Sequence, residues 1–328
     1  MNIITVVTQK LDAFQQRHPV VGFPYAVIKK FGDDNGGFQA ALITYYGFLS
    51  LFPLLLVLVT VLHLVFNNNP AVEAQVSSSI NTYFPMLGEQ LQGSIQSMGK
   101  TGFGLAIGII ITLYGARGAA DALRYALDNM WQIPKDKRAG FPKNILQSLS
   151  IIGMGAVGFA ATIGASIITS SLGRAWWVKV VLNIVGFIIL AGTTTVIFHL
   201  ATARRISLKN VAIGATISAL GVQLLLTFGS LLVAHQLKGL DALYGTFAIV
   251  LGLLFWIYLI TQVVVYAAEI DTVRYHKLWP RGLDAKHPTA GDKKAYALAA
   301  KAAEYISQEN IDVSFGGSKP KKGTPKDT

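Results

Sequence analysis

GFGLAIGIIITLYGARGAADALRYALDNMW, residues 102–131, runs uncharged as far as Ala116 and then turns ionic at Arg117. An apolar stretch of this kind is what a bilayer-crossing helix requires, about 20 residues for a ~30 Å hydrocarbon core. A helix entering near Gly102 carries Arg117 about 22 Å into the membrane at ~1.5 Å per residue, within the inner leaflet. Asp121 follows one turn later on the same face, and Arg124 and Asp128 repeat the spacing at the cytoplasmic interface. An isolated charge at that depth costs at least about 2–3 kcal/mol. Arg117 and Asp121 are therefore expected to face the bundle interior or a polar cavity, and to pair. Two readings stay open: Arg117 snorkels to the inner headgroups with Asp121 as its neutraliser, or the pair belongs to a polar pathway.

The rest of the chain has the same character. Of its 328 residues, 52% are hydrophobic and 14% charged, against about 25% charged in soluble domains. The apolar residues fall into six blocks, at about 42–66, 102–122, 146–170, 177–200, 211–235 and 244–268. Each must be helical, because a single span in lipid satisfies its own backbone hydrogen bonds. The expected fold is an all-α polytopic membrane protein with six transmembrane helices.

Lysine and arginine alternate in step with these blocks. Lys10, Arg17, Lys29 and Lys30 precede the first, while residues 67–101 hold only Lys100. Arg124, Lys135, Lys137, Arg138 and Lys143 follow the second, Arg204, Arg205 and Lys209 follow the fourth, and the tail from Arg274 is lysine-rich. Basic loops mark the cytoplasmic side, so both termini are expected there, with 67–101 as the main external segment. The net charge of +11 then reads as loops beside anionic headgroups, not as a nucleic-acid surface. Trp176 and Trp177 suit an outer interfacial belt, with Trp131 and Trp279 in similar roles, whereas mid-span Trp256 suits packing.

Three regions divide the chain: a cytoplasmic amphipathic segment 1–36, the six-helix domain 37–275, and a basic cytoplasmic tail 276–328, disordered from about 313 by its Gly/Pro/Lys composition. Ile3, Val6, Val7, Leu11 and Phe14 share one helical face, fitting a helix on the inner membrane surface or one packed on the bundle. Val72, Val76, Ile80 and Tyr83, then Leu87, Leu91, Ile95 and Met98, predict two short amphipathic helices in the external loop. Residues 292–306 predict another helix in the tail.

Further candidates are few. Glu269 ends the last span near the depth of Asp121 and Arg124, where it can pair with an arginine. Thr44, Tyr45, Ser50 and Pro53 interrupt the first span. Pro53 frees a carbonyl and kinks the helix, and Ser50 can satisfy a freed group; both a substrate path and simple packing fit. The small-residue pairs Gly104/Gly108, Ala160/Gly164 and Gly214/Ser218 permit close helix approach, within one chain or in a homo-oligomer. GSIQSMGKT (93–101) imitates a phosphate-binding loop, but five residues rather than four separate its glycines and it falls on the predicted outer face, which argues against an intrinsic ATPase. No cysteine occurs, no metal-ligand spacing and no nucleophile elbow. The expectation is a non-enzyme with no cofactor and no bound metal.

Three stretches carry a resemblance to a known family. AALITYYGFLSLFPLLLVL (40–58), LYGARGAADALRYALDNMWQIP (113–134) and DALYGTFAIVLGLLFWIYLITQVVVYAAEIDTVR (241–274) are similar to the YihY/YhjD/BrkB family of bacterial inner-membrane proteins. The Thr-Tyr pair before Ser50–Pro53 leans toward the YhjD branch. The family's terminal Gly-Ala-Glu-Leu is read here as Ala267, Ala268, Glu269 and Ile270, with Ala in the first position. The family once bore the label ribonuclease BN, yet this chain offers no metal-ligating set for RNA hydrolysis.

The resemblance implies a protein of the bacterial inner membrane that moves lipid-like or amphipathic molecules. On that basis the chain is expected to be a transporter or flippase-like exporter of an anionic amphiphile. Arg117, Asp121, Arg124 and Glu269 would line the inner half of its path and hold an anionic headgroup through paired N–H donors. The expected partners are membrane lipids and that substrate, and not nucleic acid. The alternative is a non-transporting envelope scaffold, in which the same charges lock helices together.

Overall fold

In the computed structural model, residues 3–66, 102–172, 176–203, 206–237, 246–284 and 287–315 are described. The two helices expected within 67–101 and the tail beyond 315 lie outside them. The described residues form nine α-helices and a single 3-10 turn at Lys135–Lys137, with no strand among them. The helices are α1 (Ile3–Arg17), α2 (Pro19–Asp33), α3 (Gly36–Phe66), α4 (Gly102–Met130), α5 (Lys143–Leu172), α6 (Trp176–Ala201), α7 (Leu208–Leu237), α8 (Thr246–His276) and α9 (Ala290–Ala302).

Helices α3 to α8 coincide with the six apolar blocks and run 26 to 31 residues each. Among the described residues, four stretches are long and apolar enough to cross a membrane: Lys143–Thr162, Val180–Ala201, Leu208–Gly229 and Val250–His276. Each of the six helices packs on its chain neighbour, except across the bundle's seam, where α8 packs back on α3 and closes a ring. Helix α2 lies against α8 and also touches α3.

Local chemistry explains where the elements begin and end. Helix α2 starts with Pro19 in its first turn, where the missing N–H has no intrahelical partner to lose. It stops at Asn35, whose φ of 54° is a left-handed conformation that Asn tolerates better than most residues. Helix α4 continues about two turns beyond the predicted span, through Arg124 and Asp128, and ends before Gln132 at φ 51°. Helix α9 opens with a capping box in which Thr289 and Asp292 satisfy each other's backbone N–H groups.

Glycine permits the closest helix contacts. A Cβ on Gly115 would lie 2.8 Å from the Ser50 side chain, and one on Gly118 would collide with the Tyr46 ring, so α3 and α4 touch nearly backbone to backbone. A Cβ on Gly214 would run into the Ala267 carbonyl oxygen, and Gly229 makes room for the Trp256 ring. Trp256 is thus a packing residue, as its mid-span position suggests. Trp131 is also buried, edge-on to Tyr275, and belongs to the core, not to an interfacial belt. Trp177 is exposed.

The main core cluster includes Leu127, Met130, Trp131, Phe198, Ile206 and Val211. These residues come from the ends of α4 and α6 and the start of α7, so this core sits at the end of the bundle where α3 begins and α8 finishes. A second cluster, Ala26, Val27, Val273, Leu278 and Ala295, seats α2 and α9 on the end of α8.

Candidate functional site

The ionisable residues of that end fall into separate networks. The first is the charged run of α4. Arg117 Nε lies 3.6 Å from Asp121 Oδ2, and Arg124 Nη2 lies 3.3 Å from Asp121 Oδ1. Ser148 on α5 donates to the same Asp121 oxygen at 2.5 Å, and Arg124 donates to Gln147 at 3.3 Å. Asp121 therefore bridges two arginines of its own helix and ties α4 to α5. Arg124 is largely covered, with 13% of its side chain exposed, whereas 48% of the Arg117 side chain is exposed. Arg117 is not enclosed by the bundle, contrary to the expectation that both residues point inward. Its neighbours along the helix, Ile110, Leu113 and Tyr114, are exposed apolar or aromatic side chains.

Glu269 belongs elsewhere. It is fully buried, and its ion-pair partner is Lys30 of α2, with Nζ 3.4 Å from Oε2, not an arginine of α4. Lys30 also donates to Asp34 Oδ2 and to the Met130 carbonyl at 2.9 Å. Gln132 donates to Asp34 Oδ1 at 2.8 Å, and Thr272 to Glu269 Oε2 at 2.9 Å. This cluster joins α2, the α2–α3 turn, the end of α4 and α8. Burial alone would lower the Lys30 pKa, but the facing carboxylates of Glu269 and Asp34 raise it and keep the ammonium charged. Burial pushes the Asp34 pKa up, against the lowering pull of the Lys30 ammonium.

A third network clamps the tail. Arg281, fully buried, donates through Nε to Asp292 Oδ1 at 2.6 Å and through Nη2 to Asp33 at 2.7 Å. Lys29 adds a 3.0 Å ion pair to Asp292, and Gln15 of α1 donates to the Arg281 carbonyl at 2.5 Å. Burial would raise the Asp292 pKa. The Arg281 guanidinium, the Gly282 N–H, Lys29 and Thr289 override it and hold the carboxyl well below the usual range. The tail from Leu278 to α9 is thereby fixed to α1 and α2.

Two further carboxylates act on backbone. Asp128 accepts the Ala203 N–H at 2.7 Å, and burial pushes its pKa up to about 6. Asp271 accepts the Gly214 N–H at 2.9 Å, while Arg274 donates to the Asn210 carbonyl at 2.8 Å. That one pair thus engages both backbone groups of a single i, i−4 rung of α7.

On α3, Tyr45 is exposed and stands edge-on to Tyr46. Ser50 is buried against Gly115 and donates to the Gly47 carbonyl at 2.9 Å, not to the carbonyl that Pro53 frees four residues before it. Thr44 and Thr261 share a 2.8 Å hydrogen bond between α3 and α8. The side chain of Pro53 lies outside the described set. His199 is bonded to the Ile206 carbonyl at 2.7 Å and secures the turn after α6. Among the described residues, no three His, Asp or Glu side chains gather as a metal site would require.

Sequence reasoning missed Lys30, Asp34, Arg281 and Asp292. Lys30 carries the one visible signal, a charged residue at i, i+4 from Asp34 that reads as surface until its burial is known.

A closed ring of long apolar helices with charged networks gathered at one end is the architecture of a polytopic helical membrane protein. Residues 27–292 match the family model described as "Virulence factor BrkB", and the chain belongs to the BrkB family. A UPF0761 membrane protein of Psychrobacter sp. (strain PRwf-1) is 28% identical over 275 residues, which is 77% of this chain and 48% of that protein, so the chain spans about half the length of that relative. A UPF0761 membrane protein of Vibrio vulnificus (strain YJ016) is 24% identical over 80% of this chain and 85% of that protein. The inner membrane protein YhjD of Escherichia coli (strain K12) is 23% identical over 84% of this chain and 86% of its own length. No solved structure matches.

Proposed function

We propose that the chain carries an anionic, lipid-like or amphipathic molecule across the bacterial inner membrane. In this reading six helices span the bilayer, both termini are cytoplasmic, and the protein has no catalytic activity or ATPase of its own. The observation that carries the reading is the half-exposed side chain of Arg117 beside the apolar stretch of α4 that precedes it. A cation facing a lipid environment is stabilised by an anionic headgroup. Arg117 and Arg124 flank Asp121 on one helix face; Arg117 presents its N–H donors outward, and Arg124, held by Asp121 and Gln147, backs it. Glu269, enclosed in its own network, is left out of the path.

Native mass spectrometry from nanodiscs of mixed phosphatidylcholine and phosphatidylglycerol tests this. The wild type should retain the anionic lipid preferentially, and Arg117→Ala should lose that preference. Equal retention of both lipids by the wild type contradicts the reading.

The second reading is an envelope scaffold. It is favoured by the Arg281–Asp292 and Lys30–Glu269 networks, which lock helices distant in sequence.

A further inference from the structure

Two carboxyls meet one ammonium where α2, the α2–α3 turn and α8 converge. Lys30 is 2% exposed, Asp34 6% and Glu269 0%. Among the described residues, Lys30 is the cation paired with either carboxylate. Lys30 donates to Asp34 and to the Met130 carbonyl, and its Nζ lies 3.4 Å from Glu269 Oε2. The other polar groups here are neutral: Gln132 and Asn129 from the end of α4, and Thr272 from α8. Asp33, beside Asp34 on α2, adds further negative charge and is itself engaged by Arg281.

One carboxylate oxygen of the cluster is left without a donor. Both Asp34 oxygens receive one, from Lys30 and from Gln132, and Glu269 Oε2 receives Thr272. Glu269 Oε1 is buried with no donor directed at it. With all three groups ionised, the site holds a net charge of minus one away from water, and an uncompensated buried charge of that kind is strongly destabilising. Both carboxyls sit against the one Lys30 ammonium. One proton added to Oε1 supplies the missing donor and makes the site neutral.

We infer that Lys30, Asp34 and Glu269 form a proton-binding site, holding one proton from water on the Glu269–Asp34 carboxyl pair and so setting how firmly α2 is seated on α8. Binding forms one O–H bond, and release returns the proton to water and leaves two anions against one ammonium. The inference does not rest on the transport reading and holds equally for a scaffold.

Infrared spectroscopy of the full chain reconstituted in lipid at neutral pH, in water and in deuterium oxide, tests it. The wild type should show the C=O band of a buried protonated carboxyl that shifts on deuteration. Glu269→Gln should abolish that band, because the remaining Asp34 then balances Lys30 alone. Asp34→Asn should abolish it for the same reason, with Glu269 ionised. Asp121→Asn, remote from the cluster, should leave it in place. Glu269→Gln keeps shape and neutrality and so should fold; if either variant fails to fold, the other gives the same reading. A wild type without the band, or a band that survives both substitutions, overturns the inference.

Discussion

Lys30 Nζ lies 3.4 Å from Glu269 Oε2 and also donates to the Met130 carbonyl at 2.9 Å. A single ammonium therefore ties α2 to the ends of α4 and α8. Replacing it by Met leaves two buried carboxyls without a cation, a change of the kind that costs about 3–5 kcal/mol. Thermal unfolding in detergent should show Lys30→Met well below the wild type and below Glu269→Gln. The loss should be smaller at pH 5 than at pH 8, because protonation neutralises the stranded carboxyls. A Lys30→Met protein as stable as the wild type would remove this tie from the account.

Asp128 gives a pH dependence of definite sign. Its carboxyl titrates at about 6 in the native protein, against about 3.9 when unfolded. The folded state holds the proton more tightly, so this residue's contribution is greatest below about pH 4. It declines as pH rises toward 6 and is level above, with a total change of roughly 3 kcal/mol. Asp128→Asn keeps an oxygen for the Ala203 N–H and should remove the decline. The difference between the two stability profiles from pH 4 to 7 is the measurement, and parallel profiles contradict the assignment.

Glycine substitutions should separate contact from lipid-facing positions. Gly214→Ala drives a methyl group into the Ala267 carbonyl, a backbone atom that cannot swing aside. Overpacking of this kind costs about 1–3 kcal/mol. A methyl group on Gly153 would meet nothing within 4 Å, so Gly153→Ala should be tolerated at no cost. Folded yield from membranes should fall for the first variant and hold for the second.

The long helices are legible because hydropathy alone locates them; α3 to α8 begin and end within a few residues of the apolar blocks, save where charge hides helix. Helix α4 runs on to Met130 because Arg124 and Asp128 lower hydropathy without breaking the backbone. Helix α2 is hidden by Pro19, Gly22, Pro24 and Gly32, which read as breakers, although proline in the first turn is a helix start. The site is legible only where partners are close in sequence, as in Arg117, Asp121 and Arg124. Glu269 stands out as a charge at the end of a span, but its partner lies 239 positions away, and no spacing rule reaches that far. Arg281 and Asp292 lie in a polar tail where charge is expected at the surface, and their burial depends on how α9 folds back.

The membrane orientation has its own test. Reporter fusions near residue 85 should read outside, and those near 138 and 300 should read inside, following the alternation of basic residues. A cytoplasmic reading at 85 would invert the proposed topology.

The most direct test of the central proposal is the movement of a fluorescent anionic lipid across liposomes containing the purified protein. Wild-type protein should accelerate transfer between leaflets without nucleotide, Arg117→Ala should reduce that rate at least about tenfold while inserting at normal yield, and a zwitterionic analogue should move more slowly. Transfer no faster than in protein-free liposomes, or equal transfer by wild type and Arg117→Ala, would contradict the account.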